Sequence, residues 1–229
     1  MERLAERLMG VRSIAKVHFS VSGGQVFPAL SDRAKEMLRQ KGYDFLDRKS
    51  NVNWLRKAQL TYSVAPEFEL GTAIVWFGEP TILGDNFRLD SIQQGHFFES
   101  QQSLSSTGYY VVGAYSFNKG RIEGNLAIGV GVARVEFHMS TEHDFYDYYN
   151  STFTKLNPRY DMSKSGLSET MFLDIRYRLH DAVSFGLYAD YTLANLGESE
   201  IPAVPGTDIP GQTLKFRNGC IGFVMNQNF

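Results

Sequence analysis

Two side chains in the segment His138-Met139-Ser140 have the types and the spacing of a base and a nucleophile. Residues two apart lie on the same face of a β-strand, and a histidine beside a serine can accept its hydroxyl proton and activate the oxygen. Such a site also needs an acid that orients the histidine, for which Glu136 and Glu169 are candidates. The competing interpretation, which we favour, is a polar segment at the base of a loop.

A second group of potential ligands follows in the same region. His143 precedes Asp144 and lies near Asp147, but this spacing matches no established metal motif, so a solvated loop is the favoured interpretation and no metal is expected. The chain has one cysteine, Cys220, which excludes an intrachain disulfide and a multi-cysteine zinc site. We expect no cofactor.

Charged residues also recur on one face of segments whose other face is apolar. If those faces enclose the interior of a small barrel, the charges must pair or meet water, because an isolated buried charge is very costly. A salt-bridged plug that fixes the barrel is the favoured interpretation, and a narrow polar conduit is the alternative. The charged residues of this predicted lumen network are Glu69, Arg121, Glu123, Asp174, Arg176, Arg178 and Asp190.

The hairpin from Gly108 to Phe137 shows the pattern best. From Ile122 to Val132 large apolar residues alternate with polar residues and then with glycine and alanine, which predicts a crowded, curved interior. A strand rises about 3.3 Å per residue, so this stretch spans about 25 Å at a tilt of roughly 40°, the height of the apolar band of an outer-membrane barrel. Asn118-Lys119-Gly120 is predicted to be a three-residue loop in which Gly120 has a positive φ.

With the two strands of this hairpin, six further segments complete a set of eight predicted strands. Long polar inserts join strands 1–2, 3–4, 5–6 and 7–8, whereas tight turns join strands 2–3, 4–5 and 6–7. In an up-and-down barrel this arrangement places every long loop at one end and every tight turn at the other. The predicted strands are 13–27, 54–64, 68–77, 108–117, 121–137, 167–179, 183–193 and 213–229.

The sequence therefore predicts an all-β fold, an eight-stranded antiparallel up-and-down transmembrane barrel over residues 13–229. Residues 1–12 are expected to form a tail or a short helix. No apolar run approaches the roughly 18 residues of a transmembrane helix, so an α-helical membrane protein is excluded. Residues 1–10 carry charges throughout and show no apolar core or cleavage site, so no secretory signal is visible, although an exported barrel is expected to have one.

Many of the residues that face outward are aromatic, which predicts girdles at the two membrane interfaces. The alternative interpretation is that these residues pack in the core of a soluble barrel. The candidate girdle residues are Trp54, Tyr62, Trp76, Tyr109, Tyr177, Tyr191 and Phe229. The net charge of −2 gives no indication of a nucleic-acid partner.

Over residues 13–229 the chain resembles the small eight-stranded outer-membrane barrels of Gram-negative bacteria, the porin-like and outer-membrane protein A-type group. The resemblance rests on the alternation, the sorting of the loops and the closing stretch that ends in Phe229. It implies a location in the bacterial outer membrane, contact with outer-membrane lipids and lipopolysaccharide, and recognition of the last strand and Phe229 by the barrel assembly machinery. We expect a monomer.

A weaker resemblance concerns the first motif. His138 and Ser140 are similar to the His-x-Ser pair of outer-membrane lipid A deacylases, but the asparagine that follows the serine in those enzymes is Thr141 here.

Three functional hypotheses follow. The favoured one is a non-enzymatic outer-membrane barrel with a structural role, a role in surface interactions, or limited passage of small solutes. The alternatives are a lipid A-modifying enzyme that uses His138 and Ser140, and a soluble lipocalin-like carrier whose apolar face encloses a ligand.

Overall fold

The computed structural model describes residues 17–27, 54–89, 94–180, 182–197, 200–201, 212–213 and 216–229, so the predicted tail, residues 1–12, lies outside the described residues. The strands of the barrel are β1 Val17–Phe27, β2 Trp54–Ala65, β3 Phe68–Leu89, β4 Gln94–Lys119, β5 Ile122–Asp147, β7 Arg159–His180, β8 Val183–Asn195 and β11 Phe216–Asn228. Three short strands accompany them: β6 Thr152–Leu156, β9 Glu200–Ile201 and β10 Gln212–Thr213.

The eight barrel strands form a closed antiparallel ring. Each strand pairs with the next along the chain, β4 pairs with β5, and β1 pairs with β11 to complete the ring. β7 pairs with β5 as far as Ser140, and β6 pairs with β5 from His143 to Asp147. β6 therefore continues the sheet on the side of β5 that β7 occupies lower down. β9 and β10 form a separate pair. None of the described residues belongs to a helix long and apolar enough to cross a membrane.

The register fixes the tilt of the strands. We can follow the ladder partners from strand to strand once around the ring, starting at Arg134 on β5. The path returns to β5 at Gly124, ten residues away. Ten residues of about 3.3 Å each, over eight spacings of about 4.8 Å, correspond to a tilt of about 40°. Each residue therefore advances about 2.5 Å along the barrel axis.

Tight turns lie at one end of the barrel, here called the turn end. The predicted tight turn between the second and third strands is present, but it has two residues, because Ala65 pairs with Phe68; Lys119 likewise pairs with Ile122. Gly120 has the predicted positive φ of 67°. The predicted three-residue loop is wrong, because two residues suffice when the glycine occupies the first central position of the turn.

At the opposite, loop end, much of what the sequence predicted to be loop is strand. β3 and β4 continue as a hairpin to Leu89 and Gln94, and β5 continues to Asp147. The outward face of β5 in this region is polar, as at His138 and Ser140, because it lies beyond the membrane and can meet water. Together with β6 and the start of β7, these segments of β3, β4 and β5 form a sheet, called here the extramembrane sheet, that continues from the barrel wall.

Within the barrel the alternation has the predicted direction. Ile128 and Leu187 are 60% and 59% exposed on the outside, whereas Phe172 on the inside is 1% exposed. Glu123 and Arg176 are buried in the interior. The lipocalin-like hypothesis is therefore wrong, because it requires the apolar face to enclose the interior and the charged face to meet solvent.

The interior is crowded at several glycines. A Cβ atom on Gly131 would overlap the backbone of Tyr109 on the neighbouring strand, and Gly71 has the same relation to the backbone of Leu60. Only a residue without a side chain allows the strands to bend inward so closely. The curved interior expected from the small residues is thus present.

Candidate functional site in the lumen and on the outer surface

The lumen near the turn end is polar. Glu69 on β3 accepts hydrogen bonds from the hydroxyl groups of Thr61 at 2.5 Å and Ser116 at 2.6 Å. Asn125 donates to the Ser116 oxygen at 3.1 Å, and His18 Nε2 lies 3.7 Å from Glu69 Oε1. These contacts join side chains from five of the eight barrel strands, so they fix the strands relative to one another.

Two ion pairs lie at the same end on the other side of the lumen. Arg178 on β7 contacts Oε1 of Glu123 on β5 through Nε at 2.7 Å and through Nη2 at 2.6 Å. Asp174 and Arg176, both buried, lie 2.9 Å apart on β7. A buried charge is tolerated when a partner of opposite sign is this close.

Lys57 occupies the middle of the lumen and was not among the predicted lumen charges. Its Nζ lies 3.5 Å from the ring centroid of Phe172 and 5.5 Å from that of Tyr188. Asp190 and Asp174 are the carboxylates that act on it electrostatically. Because β2 and β7 are opposite each other in the ring, the contact with Phe172 crosses the full diameter.

Asp190 is buried in this central layer. It accepts a hydrogen bond from Thr192 at 3.0 Å and a longer one from Thr170 at 3.4 Å. Arg121, by contrast, is exposed in the tight turn, where it donates to the Tyr177 hydroxyl at 3.1 Å. The structure thus places six of the seven predicted residues in the lumen and Arg121 at its rim.

The loop end of the lumen is closed by apolar side chains. Phe77 on β3 and Phe216 on β11 meet edge to face with centroids 5.6 Å apart, a contact that passes across the lumen in front of β1 and β2. Phe216 points inward at the end of an uninterrupted ladder between β11 and β8. Other buried members of this apolar plug are Val26, Leu55, Leu104, Val135, Phe137, Met139, Met162 and Leu196.

The predicted girdle aromatics all project outward and are exposed. The register assigns them to two levels, separated by an apolar band. Those nearer the loop end are Trp54, Trp76, Tyr109 and Tyr191; those nearer the turn end are Tyr62, Tyr177 and Phe229. A ring of aromatics on each side of an apolar band is the surface pattern of a membrane-spanning barrel.

His138 and Ser140 lie on the outward face of β5 in the extramembrane sheet. The Nδ1 atom of His138 is 2.7 Å from Oδ1 of Asp161, across the ladder on β7, and both side chains are exposed. Neither acid suggested by the sequence has this position: Glu136 pairs with Arg134, and Glu169 lies lower on β7.

The height of Ser140 argues against attack on a membrane lipid. Ser140 lies eight residues beyond Val132, the last apolar residue of the band on β5, which is about 20 Å along the axis. Headgroups occupy only about 5–7 Å on each side of the hydrocarbon. The hydroxyl is therefore well above the level of lipid acyl esters.

The tip of the extramembrane sheet uses its acidic residues structurally. The Asp147 carboxylate accepts backbone hydrogen bonds from Tyr149 and Asn150 in the turn between β5 and β6. Lys155 pairs with Glu142 and lies 3.8 Å from Asp144; the hydrogen bond to Glu142 raises the pKa of Lys155. Among the described residues, no group of three or more potential ligands could hold a metal ion.

No protein-family model matches the sequence, and no curated protein matches it. Solved structures with a similar fold include Neisserial surface protein A, with 9% identity, coverage of 94% of this chain and 97% of that one, and a TM-score of 0.43. Another is the outer membrane protein OprG from Pseudomonas aeruginosa, with 13% identity, coverage of 93% and 95%, and a TM-score of 0.46. A third is Ail, the attachment invasion locus protein of Yersinia pestis, with 12% identity, coverage of 94% and 99%, and a TM-score of 0.39.

The closed ring of eight strands, its outward apolar band and its enclosed charges carry the assignment of the fold. The chain is an eight-stranded antiparallel transmembrane barrel with the architecture of the small outer-membrane β-barrel proteins.

Proposed function

We propose that this protein is a non-conducting barrel of the bacterial outer membrane that acts through contacts made by its extramembrane sheet. The observation that carries the proposal is that buried side chains from different walls of the barrel meet inside the lumen at two levels. The apolar plug closes the loop end, and Lys57 against Phe172 closes the middle. A small barrel of eight strands has room for its own side chains and little else.

The extramembrane sheet carries the other half of the argument. Tyr148, Tyr149 and Phe153 are exposed at its tip, and Tyr149 is 85% exposed. They are the large exposed hydrophobic residues that the structure describes outside the membrane-spanning wall. Asp147 lies fifteen residues beyond Val132, about 38 Å at the tilt of the barrel, so the tip is beyond the headgroups of its own membrane. Exposed aromatics on a fixed turn are typical of contact surfaces.

Reconstitution in planar bilayers tests the closed lumen. The native barrel is expected to produce no single-channel conductance, because the buried apolar side chains of the plug occupy the loop end of the lumen. Replacing Phe77, Phe137 and Phe216 by alanine is expected to permit conductance in a barrel that still shows heat-modifiable gel migration. Steady conductance by the native barrel would contradict the proposal.

Settling of cells that display the protein tests the contact role. The triple variant Tyr148→Ser, Tyr149→Ser, Phe153→Ser is expected to abolish any settling that the native protein causes. The matched control Thr152→Ser, Thr154→Ser changes the same hairpin without removing an aromatic ring and is expected to settle like the native protein. Equal settling of all three proteins, or none with the native chain, would argue against the role.

Two partners belong to this proposal. The apolar band and its aromatic girdles would contact outer-membrane lipids and lipopolysaccharide. The strand β11, with the outward-facing aromatic ring of Phe229 at the turn end, would be the element that the barrel assembly machinery recognises. The variant Phe229→Ala is expected to lower the amount of assembled barrel in cells, with Gln227→Ala on the same outward face as its control; equal assembly of both would contradict this.

A further inference from the structure

Two charged residues of opposite sign lie on the outward face at the level of the loop-end aromatic girdle. Among the described strand residues from the level of Ile122 to that of Val132 on β5, the outward-facing side chains are uncharged except for Arg56 on β2, the ladder partner of Trp76, and Glu169 on β7. Both are exposed. Lys119 lies at the lower rim. At the level of the girdle a charged side chain costs much less than at the membrane centre.

The two charges lie on opposite sides of the barrel. In the ring, β2 and β7 are separated by three strands in one direction and by three in the other. An ion pair within one copy is therefore excluded by the barrel itself. Arg56 stacks over the Trp54 ring at 4.8 Å, and no ion pair joins Glu169 to another of the described residues.

The register also places them at one depth. From Glu169, the paired positions on successive strands are Val130, Val111, Thr72 and Leu60. Each pairing from one strand to the next moves about 3 Å toward the turn end at a tilt of about 40°, so after four pairings Leu60 lies about 12 Å nearer the turn end than Glu169. Arg56 is four residues from Leu60 along β2 in the direction of the loop end, a distance of about 10 Å along the axis. Arg56 and Glu169 therefore share a depth within about 2 Å.

The surfaces beside the two charges differ. Next to Arg56 are the exposed rings of Trp54 on the same strand and Trp76, its ladder partner on β3, and on the other side the small residues Ala58 and Gly23. Next to Glu169 on its strand is Met171, whose long side chain projects into the lipid region and is 51% exposed. A basic surface with aromatic rings beside it thus faces one way, and an acidic surface with a long apolar side chain beside it faces the other.

We propose that copies of this chain associate side by side in the membrane, with Arg56 of one copy paired with Glu169 of the next. The partner is a second copy, because it alone is certain to present the opposite charge at the same depth in the same membrane orientation. The contact is head-to-tail, and since its two surfaces are opposite each other, repetition gives an open row. The inference replaces the monomer expected from the sequence and rests on the membrane placement proposed above.

Energy transfer between differently labelled copies in phosphatidylcholine vesicles tests the contact. The label is attached at Thr154→Cys in a Cys220→Ser background, far from both surfaces. The native charges are expected to give association, and Arg56→Glu or Glu169→Arg alone is expected to lower the association constant about tenfold or more, because like charges then meet. Thr107→Glu on β4, away from both surfaces, is the control and is expected to associate like the native protein.

The decisive measurement is the association between the two single variants when they are mixed. The acidic substitution in one variant would meet the basic substitution in the other, and the unchanged Arg56 and Glu169 would meet as well, so an equimolar mixture is expected to regain association. Loss without recovery, equal association of all variants, or association that needs added lipopolysaccharide or calcium would overturn the proposal. A chain that does not insert into vesicles would instead refute the membrane placement, so the two failures are distinguishable.

Discussion

Replacing Lys57 by methionine tests whether the centre of the lumen determines stability. Methionine keeps most of the volume of the side chain but removes the cation that lies 3.5 Å from the Phe172 ring and acts on Asp190 and Asp174. Removing one partner of a buried charge pair costs about 3–5 kcal/mol, because the other charge stays buried. We therefore expect the free energy of unfolding to fall by about 3–5 kcal/mol.

Urea unfolding in lipid vesicles measures this change, with the fluorescence of Trp54 and Trp76 as the signal, since both rings lie at the lipid interface. The double variant Lys57→Met, Asp190→Asn is expected to recover to within about 1.5 kcal/mol of the native value, because the unneutralised carboxylate is gone while Thr192 and Thr170 can still hydrogen-bond to the amide. Lys119→Met at the exposed rim is the control, with an expected change below about 0.5 kcal/mol. A loss below about 1 kcal/mol for Lys57→Met, or a further loss on adding Asp190→Asn, would refute the reasoning.

Three further outcomes follow from the geometry. Gly120→Ala is expected to cost about 1–2 kcal/mol in the same urea assay, because its φ of 67° is unfavourable for a residue with a side chain, and an unchanged midpoint would contradict this. Gly131→Ala is expected to lower the yield of heat-modifiable barrel, since its Cβ would overlap the backbone of Tyr109; a native yield would show that the strands can separate. Ser140→Ala is expected to leave the acyl content of lipid A unchanged, as measured by mass spectrometry, because the hydroxyl stands about 20 Å above the apolar band. A changed acyl pattern would restore the enzymatic hypothesis.

Most of the fold could be predicted from the alternation of apolar and other residues along each strand. This alternation predicted the strand faces because a transmembrane wall must present apolar side chains to lipid at every second position, as Ile128 and Leu187 do. It failed above the membrane, where β3, β4 and β5 continue and the outward face of β5 is polar, as at His138 and Ser140. There no hydrocarbon imposes a pattern, and the pairing of one strand with its neighbour determines the structure.

The lumen was predictable in kind but less so in detail. Glu69, Glu123 and Asp190 could be assigned to the lumen by their parity along the strands. Lys57 has the same inward parity as Gln59, so it could have been included among the predicted lumen charges. Arg121 has inward parity but is exposed, since a tight turn releases its side chain from the wall.

Other contacts were beyond reach of the sequence. Asp161 reaches His138 only through the register of β5 and β7, which a single sequence does not reveal.

The contact between Lys57 and Phe172 has a consequence for how the barrel forms. Its two residues are 115 positions apart, and the seam between β1 and β11 pairs residues about 200 positions apart, so the contact order is high. The ammonium group of Lys57 is buried only when β7, on the opposite side of the barrel, is in place. A partial set of strands therefore cannot bury it. We expect assembly to be slow and all-or-none, without a stable intermediate.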